Sequence, residues 1–354
     1  MRRHPAGSAA IAAIATVWLA LGIAGAVAYV HRYAIYRGFP VPDTPAGIPR
    51  GTIDTIGFHS PATGADSRYM VYLPPGYARA AARGRRFPVL YLLHGYPGKM
   101  PVFVNVGAVN VASDVALAKH EMKPEILVMP AGKSGTLGAD TEWADTPSGN
   151  WMSYIGDVVR DVDHRFATIP DRRDRGIAGD SLGGYGAMNV GLHDLRDFSV
   201  IESWGGYFTQ TPTGVFAGAT KAALAAASPA AYVHTLAPEI RRLGLRSWIF
   251  QGRTDSADPR LMLDFAAQLH AAGAAVNVGF FPGGHDWGLF RAQAPRMLIA
   301  ASRWFGESPH TRDPGLHSVG SSPLPAGTLA RIKAHRKVAK QARKLSRPAA
   351  AATP

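Results

Sequence analysis

The 354-residue chain is 47% apolar and 18% charged, which suits a globular protein with a sizeable core and excludes a polypeptide disordered throughout. It has no cysteine, so thiol nucleophiles, thiolate metal sites and disulfides are excluded together. The net charge of +13 belongs to the two ends: Arg2, Arg3, Arg32 and Arg37 at one, and Arg331, Lys333, Arg336, Lys337, Lys340, Arg343, Lys344 and Arg347 at the other, with no acid in residues 1–37 or after Asp313. The middle is near neutral, so its charge gives no reason to expect a polyanion partner there.

Residues 8–30, SAAIAAIATVWLALGIAGAVAYV, carry no charge and follow Arg2 and Arg3. About 20 such residues span a bilayer as a helix. The segment 1–37 is therefore read as an export element. One form is a signal peptide cleaved after the small residues of Ala26-Val27-Ala28. The other is a retained anchor with the basic end in the cytoplasm, which the length and Trp18 favour. Both put the following domain outside the cytoplasm.

Thr52–His59 and Arg68–Leu73 read as two strands bounded by Pro, Gly or Ser, forming an antiparallel start to a sheet. Pro88–Leu93 is a continuous apolar run, as expected of a strand buried on both faces, and Ile126–Met129 is another. Trp151–Phe166 has helical spacing. Arg175–Ala178 is a short strand and Gly183–His193 a helix. Phe198–Ser203, Ser247–Phe250 and Val276–Phe281 are further strands, and Trp287–Phe305 is a helix with Leu289, Phe290, Met297, Leu298 and Ala301 on one face. Strands alternating with helices predict an α/β fold with a mostly parallel central sheet flanked by helices. Residues 206–245 are long for one crossover and suggest a small helical insertion over the site. The globular domain is expected over 38–306, a Pro/Ser/Gly-rich linker over 307–327 and a basic tail over 328–354.

Between the strand and helix around residue 180 lies Gly179-Asp180-Ser181-Leu182-Gly183-Gly184, a G-x-S-x-G pattern that reads as a nucleophile elbow with Ser181 at its tip. A serine hydroxyl is a poor nucleophile at neutral pH and needs a base, itself held by a third group. His285 is the candidate base, after a strand and the loop Pro282-Gly283-Gly284. Asp255 and Asp258 both follow an earlier strand end. Asp258 precedes Pro259 and a helical pattern and so has a ready task as N-cap, which leaves Asp255 as the orienting acid. Candidate oxyanion donors are the backbone N–H groups of Leu182 and of Tyr96 in His94-Gly95-Tyr96-Pro97-Gly98. His94, which precedes the nucleophile in the chain, is read as structural.

These motifs, LYLLHGYPG, RGIAGDSLGGYGAMNVGLHDLRDF, G-x-x-D after a strand and PGGHDW before the last helix, resemble α/β-hydrolase esterases. That family includes S-formylglutathione hydrolase, bacterial feruloyl esterase domains and the secreted mycolyltransferases. The resemblance covers about residues 50–306. It implies the α/β-hydrolase fold, a Ser-His-Asp triad of Ser181, His285 and Asp255, and an acyl-enzyme. The expected activity is ester hydrolysis, with acyl transfer to an envelope lipid or sugar, or non-catalytic binding, as alternatives. The cytosolic thioesterase branch lacks an export segment, and the mycolyltransferases resemble glutamate-using triads without the second glycine found here as Gly184.

The expected partners are a small-molecule or lipid ester and the membrane through the N-terminal segment; the basic tail reads either as a solvated, partly disordered tail or as a contact for an anionic envelope surface. No nucleic acid, cofactor or metal is expected. Asp140, Glu142 and Asp145 gather near Trp143 and Trp151 and suggest a calcium site, a substrate-contacting rim or a solvated loop. Asp161 and Asp163 read as exposed helix residues.

Overall fold

The computed structural model describes residues 5–132, 141–307 and 316–319. Asp140, most of the 307–327 linker and the whole basic tail lie outside the described residues. In chain order the strands are β1 (Thr52–Ser60), β2 (Ala65–Leu73), β3 (Val89–Leu93), β4 (Ile126–Pro130), a two-residue pair β5 (Asp145–Thr146) and β6 (Gly149–Asn150), β7 (Arg175–Asp180), β8 (Val200–Trp204), β9 (Arg246–Gly252), β10 (Ala275–Phe281) and β11 (Leu316–Val319). Among the described residues nine of them form one sheet in the order β1-β2-β4-β3-β7-β8-β9-β10-β11. β2 runs antiparallel to both β1 and β4, and all later neighbours are parallel. The expected α/β architecture is thus the observed one.

β3 shows why the sheet sits where it does. Val89, Tyr91 and Leu93 join the core on one face, while Leu90 and Leu92 join the core on the other, and all five are fully buried. Such a strand has no polar side and must lie between two helical layers. The helices Trp151–Arg165, Leu182–His193 and Pro259–Ala272 cover the first face through Tyr154, Val158, Ala187, Met188, Phe265 and Leu269. Val109–Ala118 and Trp287–Trp304 cover the second through Val109, Leu289, Phe290, Met297 and Leu298.

The segment 206–245 folds into short helices, Lys221–Ala226, Pro229–Tyr232 and Ala237–Leu243, as its length suggested. Within 307–327, Leu316–Val319 adds an edge strand parallel to β10 rather than linker alone. Asp161 and Asp163 are not the exposed helix residues that spacing suggested. Asp161 accepts a hydrogen bond from the Tyr69 hydroxyl at 2.8 Å and pairs with Arg165, while Asp163 pairs at 2.6 Å with the buried Arg175. Tyr69 lies 92 positions from Asp161, and Arg175 lies on the next strand, 12 positions from Asp163, so helical periodicity does not reveal these partners.

Helix Pro5–Tyr36 stands apart from this core. Its part Ala13–Tyr36, 24 residues long, has none of its most apolar stretch buried and is long and apolar enough to cross a membrane, a test that signal sequences also pass.

Glu202, on β8, is fully buried and faces the second core. One oxygen accepts a hydrogen bond from Trp204 Nε1 at 3.1 Å. Burial pushes its carboxyl up to about 8, and the Trp204 bond acts in the opposite direction. A carboxyl raised on folding contributes stability that is full at acid pH and is lost as pH climbs from its unfolded value toward 8. Glu202→Gln keeps an acceptor and removes the ionisation. The variant is expected to gain on the order of a few kcal/mol over wild type at pH 8 but little at pH 4, read as a flatter melting temperature against pH.

Candidate active site

The order β4-β3-β7 marks a reversal: the chain steps from β3 outward to β4, then returns to the other side of β3 at β7. Crevices at the carboxyl ends of the strands beside such a reversal are where open α/β sheets take ligands. Here the loop His94–Gly98 leaves β3 and Ser181 leaves β7.

Ser181 has φ 53° and ψ −120°, on the side of backbone space that L residues avoid. Holding it there costs about 1–3 kcal/mol, offset by its surroundings. Ser181 N–H donates to Trp204 O at 2.8 Å, and Ser181 O accepts from Tyr185 N–H in the first turn of the following helix. The turn is so tight that a Cβ on Gly183 would lie 1.8 Å from Leu93 O, and one on Gly179 would lie 2.3 Å from Gly183 O. Both obstacles are backbone and cannot swing aside. Gly183→Ala is therefore expected to push β3 and the helix apart, destabilising the fold by several kcal/mol. Thermal unfolding checks this, and a variant that melts like wild type contradicts it.

The structure brings Ser181, His285 and Asp255 together from three loops. His285 Nε2 lies 2.7 Å from Ser181 Oγ, and His285 Nδ1 lies 2.8 Å from Asp255 Oδ2. A carboxylate accepts only, so Nδ1 carries the proton toward Asp255, leaving the Nε2 lone pair to accept the serine O–H. Asp255 is 4% exposed in its side chain, and its other oxygen accepts from Ala257 N–H at 2.9 Å. Asp258 instead caps the helix Pro259–Ala272, accepting from Arg260 N–H with Pro259 in the first turn. The imidazole stands edge-on to Phe290, with ring centroids 5.5 Å apart.

The candidate oxyanion donors flank the serine. Leu182 begins the helix, so its N–H has no partner within that helix. The His94–Gly98 loop lies against Ser181 so closely that a Cβ on Gly95 would sit 2.9 Å from Ser181 Cβ. Gly95 N–H itself donates to Asp180 Oδ1 at 3.1 Å, which leaves Tyr96 as the next donor in that loop. Burial pushes the Asp180 carboxyl up to about 7, and the Gly95 bond and the charges of Arg37 and His285 hold it lower than burial alone would.

His94 is buried, and desolvation lowers it to about 4, so it is neutral at physiological pH. Its Nε2 accepts from Gly132 N–H at 3.1 Å, which puts the proton on Nδ1, facing Gly95 O at 3.0 Å. Trp143 Nε1 donates to His94 O at 3.1 Å. His94 thus ties the loops after β3 and β4 to the Trp143 segment.

Glu142 and Asp145 do not gather around a common point. Glu142 accepts from the Tyr207 hydroxyl and from Gln210 Nε2, the latter at 2.9 Å, so it joins the 141–143 segment to the 206–245 insertion. Asp145 accepts from Met152 and Ser153 N–H at the start of the helix Trp151–Arg165. Among the described residues no group of three histidines or carboxylates is placed to hold a metal ion.

Over the relay opens a cavity of about 450 Å³. Tyr96, Trp287 and Phe290 line it beside Ser181 and His285, and so do Arg37 and Phe39, which precede the sheet. Sequence reasoning missed these last two. Their only local signal is position, immediately after an apolar helix.

The fold resembles a ferulic acid esterase structure (TM-score 0.64, 23% identity, 74% of this chain and 100% of that one). It also resembles an S-formylglutathione hydrolase from Staphylococcus aureus (TM-score 0.59, 18% identity, 71% and 99%). At these identities the likeness is one of fold. In sequence, the chain is 30% identical over 159 residues to an endo-1,4-beta-xylanase/feruloyl esterase of Xylanibacter ruminicola, covering 45% of this chain and 22% of that protein. It is 28% identical over 150 residues to Esterase Rv1288 of Mycobacterium tuberculosis, covering 42% and 31%. The chain thus spans less than a third of the length of these curated relatives. The sequence model of one family, described as "Putative esterase", matches residues 60–301, well over half of the chain, and the protein belongs to that family.

Proposed function

We propose that this protein is a serine ester hydrolase, exported and held at the membrane by its N-terminal helix, with Ser181, His285 and Asp255 as its catalytic triad. The observation that carries the reading is the continuous relay, 2.7 Å from Ser181 to His285 and 2.8 Å from His285 to Asp255, ending on a serine held at an unfavourable φ. Ser181 Oγ attacks the ester carbonyl carbon while His285 Nε2 takes its proton. Asp255 keeps the imidazole in the required tautomer and stabilises the imidazolium. The N–H groups of Leu182 and Tyr96 receive the oxyanion. The C–O bond to the alcohol breaks, His285 returns the proton to the leaving oxygen, and an acyl-enzyme remains on Ser181. Water, deprotonated by His285, then releases the acid.

Family membership supports this chemistry, as do relatives and neighbours named for feruloyl or ferulic acid esters. A fluorophosphonate probe tests it, since the reagent needs an activated serine rather than a particular substrate. Wild type is expected to be labelled on Ser181 and Ser181→Ala not at all. Folded wild-type protein that stays unlabelled overturns the reading.

A further inference from the structure

Two residues in the wall of the cavity above Ser181, Arg37 and Phe39, directly follow the apolar helix. That helix ends in an aromatic turn, with Tyr29 and Tyr33 stacked at 6.4 Å between centroids. Paired tyrosines at the end of an apolar span suit the headgroup level of a bilayer. Arg37 N–H closes on Tyr33 O, Arg37 and Gly38 take φ of 50° and 84°, and the chain turns sharply onto the globular domain. Arg37 Nη2 donates to Pro97 O at 3.1 Å, which ties the helix end to the loop carrying the Tyr96 N–H. Phe39 lies under the Arg291 guanidinium, 5.3 Å from its ring centroid, and packs on the second core. Arg37 and Phe39 thereby share one cavity with Ser181 and His285.

Two apolar side chains near this segment are exposed to solvent. Tyr96 is 43% exposed and Val41, two residues beyond Phe39, is 48% exposed. The interior of the cavity adds Phe39, Trp287 and Phe290. An arginine set at the rim of an apolar surface keeps its stem along that surface and its charge at the phosphates. Asp286 and Asp180 are the carboxyl-bearing residues of the same lining: Asp286 caps the helix Trp287–Trp304, and Asp180 is buried. Arg37 is the arginine of this lining, and Asp286 is the carboxylate exposed with it.

We propose that the cavity opens onto the bilayer holding the helix, and that its substrate is a long-chain ester drawn from that membrane. Arg37 sets the mouth at the headgroups, and Phe39 with Trp287 and Phe290 receives the acyl chain. The inference rests on the ester-hydrolase reading and deepens it by naming the substrate class.

The test uses the full-length protein reconstituted in phosphatidylcholine–phosphatidylglycerol vesicles, with 4-methylumbelliferyl oleate in the bilayer and 4-methylumbelliferyl acetate in the buffer. Oleate ester in the protein's own vesicles is expected to turn over about a hundredfold faster than the same ester supplied in protein-free vesicles. Arg37→Glu is expected to lower the ratio of oleate to acetate turnover about tenfold, since an interfacial cation is replaced by an anion. Should that variant not fold, Arg37→Gln is expected to lower the ratio severalfold. Equal turnover from the two vesicle populations, or an unchanged ratio in the folded variant, overturns the inference while acetate hydrolysis leaves the esterase reading standing. Wild type that cleaves neither ester overturns both.

Discussion

Replacing Ser181 with alanine is expected to lower kcat for ester hydrolysis by about 10⁴-fold or more while leaving the melting temperature at or slightly above that of wild type. The loss follows from removing the attacking hydroxyl whose proton the relay takes: His285 Nε2 would face a methyl group where it now meets Oγ at 2.7 Å. What remains is binding and oxyanion stabilisation, which alone give a modest rate over water. Stability is spared because the strained φ of 53° persists through backbone bonds to Trp204 and Tyr185 rather than through the hydroxyl. Comparing initial rates with a differential scan separates the two effects. A variant that keeps a tenth of wild-type activity contradicts the assignment of Ser181 as nucleophile.

The second large effect concerns two aspartates three residues apart. Asp255→Asn is expected to cost about 10⁴-fold in kcat. The amide that replaces the carboxylate can donate to Nδ1, which drives the proton to Nε2 and presents an N–H to the serine instead of a lone pair. Asp258→Ala is expected to leave kcat within about twofold and to cost about 1 kcal/mol of stability, because it removes the N-cap of the helix Pro259–Ala272 and the pair with the exposed Arg260. Kinetics and melting curves on the two variants should therefore diverge in opposite senses. A large kcat loss in Asp258→Ala with none in Asp255→Asn reverses the proposed roles.

The surroundings of these two residues show what local pattern carries. Asp258 sits before a proline and a helical repeat, and a cap needs nothing beyond its own neighbours. The strands were legible for a similar reason. Runs such as Val89–Leu93 are apolar on both faces because helices cover both, and a buried parallel strand has no other composition. The Gly-Asp-Ser-Leu-Gly-Gly turn was legible because of steric crowding: a Cβ at residue 183 would meet a backbone oxygen at 1.8 Å, which leaves few residue types. What stayed hidden depends on contacts across the chain. Arg37 meets Pro97 sixty positions away, and Asp163 is drawn inward by Arg175 from the next strand. No spacing rule within a helical or strand window reports such pairs. The edge strand Leu316–Val319 was hidden too, since an edge is completed by what its neighbour offers rather than by its own hydrophobicity.

The buried His94 adds a consequence of its own. Because it gains a proton only near pH 4, it behaves as a rigid strut and not as a gauge of acidity. The three segments it fastens, through Gly95, Gly132 and Trp143, should keep their alignment in a mildly acid medium. A fall in turnover between neutrality and about pH 5 then does not originate at His94, whereas Asp180, raised to about 7 and holding Gly95 N–H, does change charge in that window.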